Sequence, residues 1–252
     1  MADSDDQFAP RIDAIETQWS MVRRAHHGSL ASGGDAKNSL VMRYSPAIRG
    51  YVRALTKDDA EADEISQEAV VRILSGDFAG ADPERGRFRD LLKVAVRNMV
   101  RNHWAKQNRR KASDIDEIYT DDVGQEDDQF DPWLDSWRVN LLELAWAALK
   151  DYEHQREGRV AYTVLKLRSE FPTVDSQELA AKLSEATGNE CRADTTRQQL
   201  RRARIRFAEF LVEEISQGLA TAEPDRIQEE LISLGLYESI KDVLPEKWKT
   251  TE

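Results

Sequence analysis

FRDLLKVAVRNMVRNHWAKQ, Phe88 to Gln107, is the stretch whose reading decides the fold. Leu91, Leu92, Ala95, Met99 and Val100 recur at three- and four-residue spacing, the period of an amphipathic helix. Between them stand Arg97 and Arg101, of a type able to hold phosphates, and Asn98 and Asn102, of a type able to hydrogen-bond base edges. The surrounding segment is strongly basic. From Arg85 to Lys111 there are ten Lys or Arg against one acid, Asp90, a local charge of +9. Just before the helix, Gly76, Gly80, Pro83 and Gly86 mark a loop.

Working outward, the same helical period appears on both sides. Upstream, EADEISQEAVVRIL (Glu61 to Leu74) predicts a helix that Asp58 or Asp59 caps. Ile65, Ala69, Val70 and Ile73 face inward and acids line the other side. Before it, Leu40, Tyr44, Ile48, Tyr51 and Leu55 predict a helix from about Ser39 to Leu55, in which Pro46 bends the axis or marks a restart. A first helix is expected from Ile12 to about His26, and Gly28, Gly33 and Gly34 end it. Together these form one helical domain over residues 12–112.

Downstream the composition changes abruptly. Residues 113–135 hold ten Asp or Glu and no Lys or Arg, which predicts an acidic, flexible linker. A second domain is expected over 136–218. It contains an amphipathic helix from Trp133 to Asp151, a further helix from Glu157 to Phe171, and then two helices joined by a turn. Asp175 opens the first of the pair and Gly188 closes it. Thr195 with Gln198 reads as a capping box for the second. That second helix is basic: Arg192 to Arg206 holds six Arg against Asp194. A basic helix following a turn suggests helix-turn-helix DNA recognition, although GNECRA is longer than the usual three- or four-residue turn. Residues 219–252 read as a C-terminal helical extension, with Ile227, Leu231, Leu234, Tyr237 and Ile240 on one helix after Pro224.

Composition narrows the function classes. The chain has 252 residues, seven prolines and twelve glycines, and its long intervening stretches are rich in good helix formers; the fold class is all-α. No apolar run is long enough for a membrane span, and acidic Met1 to Pro10 does not read as a secretory signal, so a cytoplasmic protein is expected. Cys191 is the only cysteine, and His26 and His27 have no further ligands in register, so no metal site is expected. No nucleophile with a base, no phosphate-binding Gly loop and no paired catalytic carboxylates appear; neither catalytic residues nor a cofactor are expected, and the chain does not read as an enzyme. The formal net charge of −11 argues against nucleic acid until its distribution is seen, with both basic blocks on predicted helices.

Three of these segments resemble the extracytoplasmic-function (ECF) sigma factors of bacterial RNA polymerase. Glu61 to Leu74 is similar to the family's acidic helix, DAEDLVQEVFLRL. DPERGRFRDLLKVAVRNMVRNHW (Asp82 to Trp104) resembles DPERGRFRAWLYRIARNLARDHL without a gap, and QLRRAR (Gln199 to Arg204) resembles the RLxRAR of the recognition helix. TQWSMV (Thr17 to Val22) and RFAEFLVEEI with its helical tail further resemble the large planctomycete-type sigma proteins. The resemblance implies a region 2-like domain, a linker, and a region 4-like helix-turn-helix domain that lend promoter recognition to core polymerase.

It also implies roles for residues. Glu61, Asp63, Glu64, Gln67 and Glu68 become contacts for the clamp helices of the polymerase β′ subunit; on charge alone they read as a solvated helix face. Arg87, Arg97, Asn98, Arg101, Asn102 and Trp104 become candidates for reading and melting the minus-10 element, as do the loop Gly80 to Arg87 and Phe88, for which core packing is the favoured reading. Leu200, Ala203, Phe207 and Leu211 are core positions, so Arg197, Gln198, Arg201 and Arg202 project toward the minus-35 bases while Arg204 and Arg206 hold phosphates. The implied partners are the β′ clamp helices, the β flap and promoter DNA, and an anti-sigma factor or regulatory kinase stays open. The competing reading is a helix-turn-helix regulator that binds an operator without polymerase. It leaves the acidic helix and the +9 helix without work.

Overall fold

The computed structural model describes residue 25 and residues 30–78, 87–112, 131–219, 221–245 and 248. Among these residues every regular element is helical. In chain order they are α1 (Leu30–Thr56), α2 (Asp59–Ser75), α3 (Phe88–Ala112), α4 (Pro132–His154), α5 (Ala161–Glu170), α6 (Ser176–Thr187), α7 (Ala193–Gln217), α8 (Pro224–Ser233) and α9 (Tyr237–Ile240), with a 3-10 turn over Lys241–Val243. Most of the helix expected from Ile12 to His26, the loop from Gly80 to Gly86, and linker residues 113–130 lie outside the described residues. The helices divide into two units, one within 1–140 plus 217–221 and the other within 141–216 plus 222–252.

In the first unit α1, α2 and α3 bury Leu40, Tyr44, Ile48, Tyr51, Ile65, Ala69, Ile73, Phe88, Leu92, Met99 and Val100 as expected, and Val96 besides, whereas Leu55, Val70 and Ala95 are half-buried and Leu91 is exposed. Two features of α1 differ from expectation. It starts at Leu30, not near Ser39, and runs through Gly33 and Gly34. A helical glycine costs about 1 kcal/mol relative to alanine, too little to end a helix whose next turns bury Ala36 and Leu40. Pro46 neither stops nor restarts it. The carbonyl that loses its donor belongs to Met42, and both residues are exposed, so that carbonyl is open to solvent. Asp58 caps α2, its carboxylate accepting from the amides of Ala60 (2.8 Å) and Glu61 (2.9 Å), a device worth about 1 kcal/mol. Gly76 ends that helix in the left-handed conformation at φ 93°.

The start of α4 completes this unit. Trp137 stacks on Tyr44 with ring centroids 5.0 Å apart, and Trp133 meets Tyr51 edge-on at 5.4 Å. Asn140 donates to the Arg43 carbonyl at 2.8 Å. Gly50 lets the helices meet: a Cβ there would stand 3.0 Å from Ser136 Oγ. Asp131 caps α4 through the Trp133 amide (3.0 Å) and binds Lys93 of α3 (2.8 Å) with its second oxygen. The units therefore divide at Asn140, five residues beyond the 135/136 boundary read from composition.

In the second unit Val164, Leu179, Leu183, Leu200 and Ala203 form a core shared by α5, α6 and α7, with Val160, Leu165, Val174 and Cys191 against it. α5 starts at Ala161 rather than Glu157, because Gly158 turns the chain at φ 83°. Glu153 then serves as its cap from α4, accepting from the Thr163 amide (2.9 Å) and hydroxyl (2.6 Å). Asp175 and Gly188 bound α6 as expected. The capping box at Thr195 is not used. α7 begins at Ala193, with the Thr196 amide already bonded to the Arg192 carbonyl at 2.9 Å. The turn before it is tied to α6 by the Cys191 amide, which donates to Ser184 Oγ at 2.8 Å, so a longer turn still holds the pair together.

The extension is also broken where one helix was expected. Gly235 adopts φ 66°, and the Leu236 amide returns to the Leu231 carbonyl at 2.9 Å, a left-handed helix stop between α8 and α9. Ile227, Leu231, Leu234, Leu236, Ile240, Leu244 and Trp248 are buried. Among the described residues no helix is long and apolar enough to cross a membrane, and no group of His, Cys, Asp or Glu is placed to hold a metal ion.

Candidate protein and nucleic-acid interfaces

In the first unit α2 and α3 each present one continuous outward face. On α2, Asp63, Glu64, Gln67 and Glu68 are exposed as expected. The face continues past them into Val71, 59% exposed, and Leu74, 38% exposed. Sequence reasoning passed over these two, yet seven- and ten-residue offsets from Glu64 place them on the same stripe. An acidic patch running into an apolar one is a surface suited to a protein partner, since the apolar part gains from burial.

The acids themselves are not equivalent. Asp63 accepts from Arg49 Nε of α1 at 2.6 Å, and that bond holds its carboxyl below the ordinary carboxylate range while raising the Arg49 guanidinium. Glu68 pairs with Arg72 at 2.6 Å along its own helix. Glu61 turns away from the stripe toward α3. Its carboxylate accepts from Gln107 Nε2 at 2.8 Å and from the Trp104 indole N–H at 3.4 Å.

On α3 the face opposite the core carries Leu91, Val94, Asn98, Arg101 and Asn102, all exposed, so three of the expected DNA-binding residues share one surface. Leu91 and Val94 extend it with apolar side chains that the sequence reading had assigned to the core or left aside. Arg87 and Arg97 are half-buried at the flanks, and Trp104 is half-buried with its N–H directed at Glu61. Phe88 is fully buried between Tyr44 and Phe78, as its core reading required.

Residues 40–110, which take in α2 and most of α1 and α3, match the family model for sigma-70 region 2. This stretch is similar to sigma-70 region 2. No significant match to the chain is found among curated proteins or solved structures. The matched stretch contains both faces just described, the acidic stripe of α2 and the outer side of α3 with Asn98, Arg101 and Asn102.

The second unit offers a separate surface. Arg197, Gln198, Arg201 and Arg202 of α7 are all exposed, together with Arg204, while Leu200 and Ala203 are buried beneath them. Arg197 is ion-paired with Asp194 one turn earlier. Arg206 departs from expectation. It pairs with Glu209 at 2.7 Å and lies 4.9 Å from the Tyr152 ring centre, its side chain only 21% exposed. Arg159 lies 3.9 Å from the same ring centre, so Arg206 is held within its own unit by an ion pair and an aromatic contact.

Proposed function

We propose that the chain is a sigma factor of the ECF type, which binds core RNA polymerase, recognises promoter minus-10 and minus-35 elements and promotes strand opening. The observation that carries this reading is the matched region 2 segment, with an acidic-to-apolar face on α2 and a basic face on α3 in one unit. In this reading the α2 stripe docks on the β′ clamp helices through Glu64, Gln67, Glu68, Val71 and Leu74. Asn98, Arg101 and Asn102 engage the minus-10 element, where opened bases need stacking and hydrogen-bonding surfaces to offset lost pairing. α7 follows α6 as a recognition helix and enters the minus-35 major groove, with the β flap as the partner of this unit. Grouping with the large planctomycete-type proteins rests on the C-terminal extension and on Thr17 to Val22, the latter outside the described residues.

An operator-binding regulator would use the second unit alone and would leave the region 2 segment idle. The two readings separate in a gel-shift titration with and without core polymerase. The net charge of −11 opposes binding of the free chain to DNA, so promoter affinity should appear only when core enzyme is present. Equal affinity in both arms would favour the operator-binding regulator.

A further inference from the structure

Past Val100 no residue of the described part of α3 is fully buried: Arg101, Asn102, Ala105 and Lys106 are exposed, Trp104 and Gln107 are half-buried, and the His103 side chain is 14% exposed. Full burial therefore ends at Val100, and beyond it the packing of His103 and a set of polar bonds hold the basic turns. Those bonds converge on one carboxylate. Glu61, whose side chain is 25% exposed against 73% for Glu64, accepts from Gln107 Nε2 (2.8 Å) and Trp104 Nε1 (3.4 Å). Gln107 also contacts His103 Nε2 at 3.0 Å, and the His103 ring lies 3.9 Å from both Glu61 and Glu64.

We infer that Glu61 is a positioning residue for promoter opening: it locks Trp104 and Gln107, and so aims the outer turns of α3 at DNA, instead of touching polymerase. The inference rests on the proposed sigma-factor reading, in which α3 meets the promoter. A carboxylate receiving two hydrogen bonds resists rotation of both donors, so its loss releases two adjacent turns at once. The neighbouring Glu64 stays on the outward stripe and keeps the docking role.

The test uses the full chain with core polymerase and the Glu61→Ala and Glu61→Gln variants. The wild type is measured first; if it opens no promoter, the sigma-factor reading fails and takes this inference with it. Where the wild type does open DNA, Glu61→Ala should hold core affinity within about twofold and reduce permanganate reactivity of unpaired thymines about tenfold. Glu61→Gln, which keeps an acceptor oxygen, should recover most of that loss. In the free chain the Trp104 indole N–H resonance, assigned with Trp104→Phe, should move in Glu61→Ala and move less in Glu61→Gln. Circular dichroism checks that both variants are folded; should the alanine variant not fold, Gln107→Ala, which removes the shorter of the two bonds from the donor side, takes its place in the core-affinity, opening and indole measurements with the same expected results. Three results would each overturn the inference alone: loss of core affinity in Glu61→Ala as large as in Glu64→Lys, unchanged opening, or an unmoved indole resonance.

Discussion

Charge reversal of Glu64 and Glu68 together to Lys should abolish co-purification with core polymerase while leaving the helical content unchanged. Both side chains are exposed on α2, and Glu68 gives up only an exposed pair with Arg72 along the same helix, a contact worth about 0.3–0.5 kcal/mol. Like charges brought together across a docked interface cost several kcal/mol, so the expected loss of affinity exceeds about a hundredfold. Asp63 is a poorer choice for this purpose. It is bonded to Arg49 and lies 14 residues away from it in sequence, so Asp63→Lys would set two cations together between α1 and α2 and confuse docking with folding. Normal co-purification of a folded Glu64→Lys/Glu68→Lys variant would remove α2 from the polymerase interface.

The second large effect concerns base reading by α7. Arg or Gln in a major groove pairs bidentately with G or A, each good pair discriminating by about 1–3 kcal/mol. Arg197→Ala or Gln198→Ala should therefore relax preference at particular minus-35 positions, by roughly 5- to 150-fold per pair lost. Arg204→Ala should instead weaken binding uniformly and lower the salt slope. Arg206→Ala belongs to neither class. Its guanidinium is held by Glu209 and Tyr152, so its removal should lower stability and leave base preference alone. Transcription from a randomised minus-35 library measures these four variants together with Arg201→Ala and Arg202→Ala. If Arg197→Ala, Gln198→Ala, Arg201→Ala and Arg202→Ala each keep the wild-type preference, α7 does not read sequence.

Much of the fold is legible because helices built on apolar three- and four-residue spacing need little else to specify their buried face. The faces of α2, α3 and α7 follow from Ile65, Leu92 and Leu200 and their periodic neighbours. Local caps with short-range chemistry, Asp58, Asp175 and Gly188, are legible for the same reason. The departures arise where a distant partner outweighs the local signal. Glycines in α1 suggested a break that burial of Ala36 and Leu40 overrides. Thr195 suggested a helix start, but the Cys191–Ser184 bond fixes the turn two residues earlier. Trp137 reads with the helix that follows it, yet its ring is filled into the first unit against Tyr44.

Site residues show the same division. Exposure of Glu64, Gln67, Glu68, Asn98, Arg101, Asn102, Arg197, Gln198, Arg201 and Arg202 follows from helical phase alone. The inward turn of Glu61 does not, because its donors stand more than forty residues further along the chain, on α3. Nor does the burial of Arg206, which depends on an aromatic ring supplied by α4. Long-range polar partners carry no period, and a charge count treats every acid or arginine on a helix alike.

The central claim is that this chain confers promoter-specific initiation on a polymerase that lacks it. Run-off transcription with purified bacterial core polymerase on genomic DNA tests it most directly. The account predicts discrete transcripts that appear only when the chain and core enzyme are both present, starting downstream of a shared pair of promoter elements. Transcripts no different from those of core enzyme alone, with the chain folded and in excess, would contradict it.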